Sequence, residues 1–169
     1  MTVTTLKENV EVVVVGMGGI QVSRDHSGVL ACLGLGSCIA VCAYDPLSKV
    51  GGMAHVVLPN SGGKDGIAPG KFADTAVPLL LQEMAKAGGA RSRLIIKLVG
   101  GAQLALARGL ESVFSTGERN LAEVKAALAR ERISVAATDT GGNMGRTVRM
   151  FVDTGKVIVK TAGGEGEEL

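Results

Sequence analysis

Short apolar runs separated by glycine and polar clusters make up most of this chain. Glu11 to Gly16 is a Val-rich run ending at Gly16-Met17-Gly18-Gly19, which predicts a buried strand entering a turn. Val29 to Leu35 and Ser37 to Asp45 predict two further strands, with Gly34 and Gly36 at their junction. Asp45-Pro46-Leu47-Ser48 is a turn signal, and Val50 to Leu58 is the expected partner strand, so residues 37–58 read as a hairpin. Leu94 to Val99, Ser134 to Thr138, Val148 to Val152 and Lys156 to Lys160 are also strand candidates, the last two joined at Thr154-Gly155.

Two segments change period. Phe72, Ala76, Leu80 and Met84 recur every four residues, with Ala73, Val77 and Leu81 beside them, and the pattern stops at Gly88-Gly89. This predicts an amphipathic helix, with Pro78 either kinking it or delaying its start. Asn120 to Glu131 predicts a second helix with Leu121, Val124, Ala127 and Leu128 inward and Asn120 as its N-cap. Asn60 to Gly70, rich in Gly, Ser, Asp and Pro, reads as a mobile loop at the rim of a cleft. The fold class expected is α/β: a single domain with mixed, largely antiparallel β-sheets, layered or sandwich-like, and two main helices. One domain over residues 1–169 is expected, with residues 1–9 and the Gly/Glu-rich 162–169 flexible.

Composition narrows the function classes. The 169 residues are 46% hydrophobic and 20% charged, enough for a folded core. Aromatics are only 2%, so Val, Leu, Ile, Ala and Met must fill that core. A net charge of +2 is no footprint for nucleic acid, and there is no set of aromatics on which bases could stack. No apolar stretch approaches the ~18 residues that span a bilayer, and nothing reads as a signal peptide. Membrane insertion is therefore not expected. A cytoplasmic location with three free thiols is.

The candidate chemistry lies in the predicted hairpin. Leu33-Gly34-Leu35-Gly36-Ser37-Cys38 puts a cysteine after a turn of small residues, and Gly51-Gly52-Met53-Ala54-His55 puts a histidine on the next strand. The chain has only two histidines, and a hairpin can bring Cys38 and His55 side by side. A thiol beside an imidazole is the minimal equipment for acyl transfer. The small residues leave room for a carbonyl to approach, and backbone N–H groups at Gly36 and Ser37 are placed to face a developing oxyanion. Cys42 shares the face of Cys38 but lies about 13 Å along the strand at 3.3 Å per residue, so it reads as structural. His26 sits in a polar turn and reads as solvated.

No cofactor or metal is expected. Two isolated histidines and no C-x-x-C give no zinc spacing. Gly16 to Gln21 lacks the third glycine of a dinucleotide fingerprint, and Gly66 to Lys71 has the wrong spacing for a phosphate loop.

The L-G-S-C run at Cys38, the G-G-M-A-H-x-x-L-P run at His55, Gly117-Glu118-Arg119-Asn120 and Asp139-Thr140-Gly141-Gly142-Asn143-Met144-Gly145-Arg146 come in the order found in CheD. The chain resembles that family of chemoreceptor glutamine deamidases over roughly residues 10–161. The resemblance implies that Cys38 is the nucleophile and His55 the catalytic histidine. Its substrate would be specific glutamines on the cytoplasmic domain of methyl-accepting chemoreceptors. It also implies hydrolysis of glutamyl methyl esters in some members, and a CheC-type phosphatase of the response regulator as partner in some organisms. The GERN and Asp139–Arg146 motifs read as structural.

One position departs from the family. A threonine six residues before the nucleophile is its third catalytic member, and here that position is Cys32. A thiol is a poorer hydrogen-bond partner than a hydroxyl. Three arrangements follow, in order of preference: a backbone carbonyl orients His55, Cys32 orients it weakly, or Cys32 and Cys38 form a switching disulfide. The departure also keeps open a weakly active docking module for chemoreceptors or a CheC-type protein. A general thiol hydrolase of small molecules is the third class, disfavoured by motifs that match outside the Cys/His pair.

Overall fold

The computed structural model describes residues 10–64, 68–104 and 116–169. The readings of residues 1–9, of the centre of the Asn60–Gly70 loop and of part of Gly66–Lys71 fall wholly or partly outside that range. Two five-stranded sheets stack face to face, and helices cover one outer face. The first sheet orders β1 (Glu11–Val14), β3 (Gly28–Leu35), β8 (Arg146–Phe151), β9 (Val157–Thr161) and β10 (Gly166–Glu168). The second orders β2 (Ile20–Ser23), β5 (Val50–Val56), β4 (Ile39–Asp45), β6 (Ile95–Gly100) and β7 (Val135–Thr140). Pairing is antiparallel except for β1 with β3 and β6 with β7. This is the α/β layering expected from the sequence, with two α-helices among the described residues: α1 (Ala73–Lys86) and α2 (Thr116–Arg130).

Every residue of β4 and β5 is buried, which explains their unbroken apolar run. Alternate residues serve two cores. Ile39, Val41, Ala43, Ala54 and Val56 face α1 and α2, against Leu80, Met84, Val124 and Leu128. Ala40, Cys42, Tyr44 and Met53 face the first sheet, against Leu30, Cys32, Leu35, Val148 and Met150. Gly52 permits the close approach of α1, because a Cβ there would lie 2.5 Å from Met84 Sδ. Buried Asp45 closes the far end of β4. It accepts from Arg93 Nη2 at 2.8 Å and from the Ala90 N–H at 2.7 Å, and the Arg93 guanidinium holds its carboxyl well below the usual range.

Several elements differ from the sequence expectation. α1 runs through Pro78 from Ala73, with Phe72 as its non-helical N-cap. α2 begins at Thr116, four residues before Asn120, so Asn120 lies inside the helix and is not its cap. β2 has no counterpart in the sequence pattern. The 162–169 tail is not free: it carries β10 on β9, and Leu169 packs against the inter-sheet core.

Candidate active site

The junction of β3 and β4 turns on Gly36, Ser37 and Cys38. Its three carbonyls are each engaged from the protein side. Gly36 O accepts from the Ala102 N–H at 2.8 Å and Cys38 O from the Gly101 N–H at 2.9 Å. Ser37 O accepts from Asn120 Nδ2 at 2.9 Å. The N–H groups of the same three residues donate to no other residue among those described. A turn with every carbonyl tied back and its N–H groups unspent presents a row of donors. A Cβ on Gly36 would meet only Leu104 Cδ1 at 2.9 Å, the end of an exposed side chain that can swing aside.

Cys38 is half-buried and packs against the inter-sheet core. Burial pushes its thiol up from the ordinary value, and its own backbone N–H opposes that shift. The resting group is therefore a thiol, and a base must take its proton.

His55 is buried and lies on the same side of the sheet. In the β4–β5 register Ala40 pairs with His55, so Cys38 is its diagonal neighbour on that face, at a backbone separation of about 7 Å. The segment crossing from β1 to β2 wraps His55. Its N–H donates to Gly19 O at 3.0 Å, and its carbonyl accepts from the Gly18 N–H at 2.9 Å. His55 Nδ1 lies 3.0 Å from Val15 O. A carbonyl accepts only, so Nδ1 carries the proton and Nε2 keeps a free lone pair.

Cys32 is fully buried on β3. Its Sγ contacts Val15 O at 3.6 Å and Met53 Sδ at 3.4 Å. It therefore shares the carbonyl that engages His55. Burial raises its thiol far above the ordinary value and keeps it neutral. Cys42 is also buried, its thiol pushed up to about 12, and all three cysteines are free. His26 is exposed on a polar turn, as the sequence suggests.

Two motifs support the turn. Buried Arg146 pairs with Asp139 at 3.0 Å and reaches towards Gly100 O, and Gly141 N–H donates to that same oxygen at 3.0 Å. Gly100 is the residue against which Cys38 O rests. Asn120, fully buried, donates from Nδ2 to Ser37 O and to Val57 O, both at 2.9 Å. Sequence reasoning missed Asn120 as a site residue and missed Val15 entirely. The only signal for Asn120 was its place in the GERN run. A backbone acceptor such as Val15 O leaves no signal.

The family model for CheD, described as CheD chemotactic sensory transduction, matches residues 57–161. The chemoreceptor glutamine deamidase CheD of Thermotoga maritima is 47% identical over 156 residues, covering 92% of this chain and 95% of that protein. The probable chemoreceptor glutamine deamidase CheD of Symbiobacterium thermophilum is 44% identical over 157 residues, again 92% of this chain and 95% of its own length. The family-model match begins beyond His55. The alignments to these relatives are long enough that they must include Cys32, Cys38 and His55.

Proposed function

The chain belongs to the CheD family, and from that premise we propose that it hydrolyses glutamine side-chain amides of chemoreceptors to glutamate, with Cys38 as nucleophile and His55 as base. One observation supports the mechanism: His55 Nδ1 is held by Val15 O, which leaves the Nε2 lone pair free for a base's role on the inter-sheet face that Cys38 shares.

His55 Nε2 takes the Cys38 proton as Sγ bonds to the glutamine Cδ. The carbonyl oxygen becomes an oxyanion, for which the N–H groups of Gly36, Ser37 and Cys38 are the available donors. The C–N bond breaks, the imidazolium returns its proton to the leaving nitrogen, and ammonia departs from a glutamyl thioester. Water then gives a proton to His55 and attacks the thioester. The C–S bond breaks and the thiol is restored. In this reading His55 acts as a general base during attack. Val15 O supplies the orientation that the family's threonine would, and Cys32 is a bystander on the same carbonyl. The same steps hydrolyse a glutamyl methyl ester, with methanol leaving in place of ammonia. No helix among the described residues is long and apolar enough to cross a membrane.

Cys32 at the threonine position, together with a thiol held up by burial, favours one second reading: a slow or inactive module that docks on chemoreceptors or a CheC-type phosphatase. Incubation with a purified chemoreceptor cytoplasmic fragment, followed by peptide mass spectrometry, separates the two. Conversion of defined glutamines to glutamates, absent with Cys38→Ala, is the expected result. An equal conversion by Cys38→Ala overturns the mechanism, and binding without conversion by the unaltered protein moves it to the docking reading.

A further inference from the structure

Asn120 is a polar side chain with no exposure, set in the first turns of α2 on the face that meets the β3–β4 junction. Its two neighbours at 2.9 Å are both carbonyl oxygens, Ser37 O and Val57 O. That fixes the amide orientation, because a flipped amide would set three oxygens against one another. Oδ1 is then buried with no hydrogen-bond partner among the described residues. An apolar side chain of similar size would avoid that desolvation penalty. It would not supply the two donors.

Those donors act on particular peptides. In a trans peptide the carbonyl and the following N–H point in opposite directions. Pinning Ser37 O towards α2 therefore drives the Cys38 N–H away from α2, into the open side of the turn. Pinning Gly36 O through Ala102 does the same for the Ser37 N–H. The second bond, to Val57 O, falls two residues beyond His55, just past the end of β5. One side chain thus joins the nucleophile's peptide to the chain just beyond the strand that carries the base.

We propose that Asn120 is the positioning residue of the oxyanion site: it aims the Cys38 N–H at the developing oxyanion. This rests on the reading of Cys38 as nucleophile given above. Asn120 itself touches no substrate atom.

The test compares two reactions of Cys38. Deamidation of the chemoreceptor fragment needs the oxyanion donors, whereas alkylation by iodoacetamide needs the thiol and its base but forms no oxyanion. In Asn120→Ala, kcat is expected to fall about 100-fold, the scale of losing one oxyanion donor, with KM nearly unchanged. The alkylation rate should change by less than about threefold, since no oxyanion forms there. Asn120→Leu keeps the size but not the donors, and sets no buried carboxylate against the two carbonyls. It should behave alike, and it carries the test if the alanine variant does not fold. A folded variant with kcat near that of the unaltered protein overturns the proposal. So does alkylation falling in parallel with turnover, or a loss confined to KM. Activity surviving in Cys38→Ala would instead sink the underlying mechanism, whatever Asn120 does.

Discussion

Gly100→Ala probes the turn from the other side. Gly100 ends β6 with φ of 119°, a conformation that residues with a Cβ rarely adopt. An added Cβ would sit 2.1 Å from Cys38 O and 3.2 Å from the Cys38 carbonyl carbon. That is more than about 1 Å inside normal carbon–oxygen contact. The neighbour is backbone, tied by the Gly101 N–H, and no flexible side chain can yield. Relief requires the Cys38 carbonyl to retreat by about that distance, and displacement of a reacting group by about 1 Å costs on the order of 100-fold in rate. The backbone strain contributes about 1–3 kcal/mol, and loss of the Cys38 O hydrogen bond about 1 kcal/mol. A total near 3 kcal/mol lowers Tm by roughly 6–12 °C at this chain length. Gly163→Ala is the control: φ is 76° there, with nothing within 4 Å of the new Cβ and no contact with the turn. It should show a strain penalty of about 1 kcal/mol and unchanged turnover. Thermal unfolding and deamidation of the receptor fragment measure both. If Gly100→Ala matches Gly163→Ala in Tm and in kcat, the Cys38 carbonyl is not held as argued.

The two remaining cysteines give two more predictions. Cys32→Ala should keep kcat within about threefold, because Val15 O and not the thiol orients the imidazole. A loss of 100-fold or more would make Cys32 part of the machinery. For Cys42 the sign follows from burial: its folded pKa is raised from 9.0 to about 12, so the proton binds more tightly in the fold and stability is lost as pH rises above 9. At pH 10.5 the loss from this thiol is about 2 kcal/mol. Urea unfolding at pH 8 and 10.5 should therefore show a shallower fall in Cys42→Ala, and equal falls would refute the burial argument.

The hairpin carrying Cys38 and His55 is legible in the sequence because its parts are local. Strand runs, a turn at Asp45-Pro46 and period-2 facing need no knowledge of distant residues. The layered class follows from strands outnumbering helices. What joins the two sheets is not legible. Val15 O acts through a backbone atom, so any residue type would serve at that position. Asn120 carries a misleading signal, since Asn at the head of an apolar periodic run is the usual mark of an N-cap. The helix starts four residues earlier, where the pattern is polar, and tertiary contact with Gly101 sets its first turn: a Cβ on Gly117 would lie 2.6 Å from Gly101 O. The Gly/Glu-rich tail reads as disordered because β10 gains its place from backbone pairing with β9, from the packing of Leu169 and from the Lys156–Glu168 ion pair. Composition reports neither.

The shared acceptor has a consequence for how activity arises during folding. Val15 extends β1, its N–H bonded to Ala31 O of the first sheet at 2.7 Å, while the imidazole it holds hangs from the second. Neither sheet alone contains an oriented base. Under the proposed mechanism, a chain that has formed one sheet and not yet docked the other is chemically silent, and turnover begins when the two halves close. Catalytic rate is then a gauge of inter-sheet docking. It should disappear under mild denaturant before the secondary structure does.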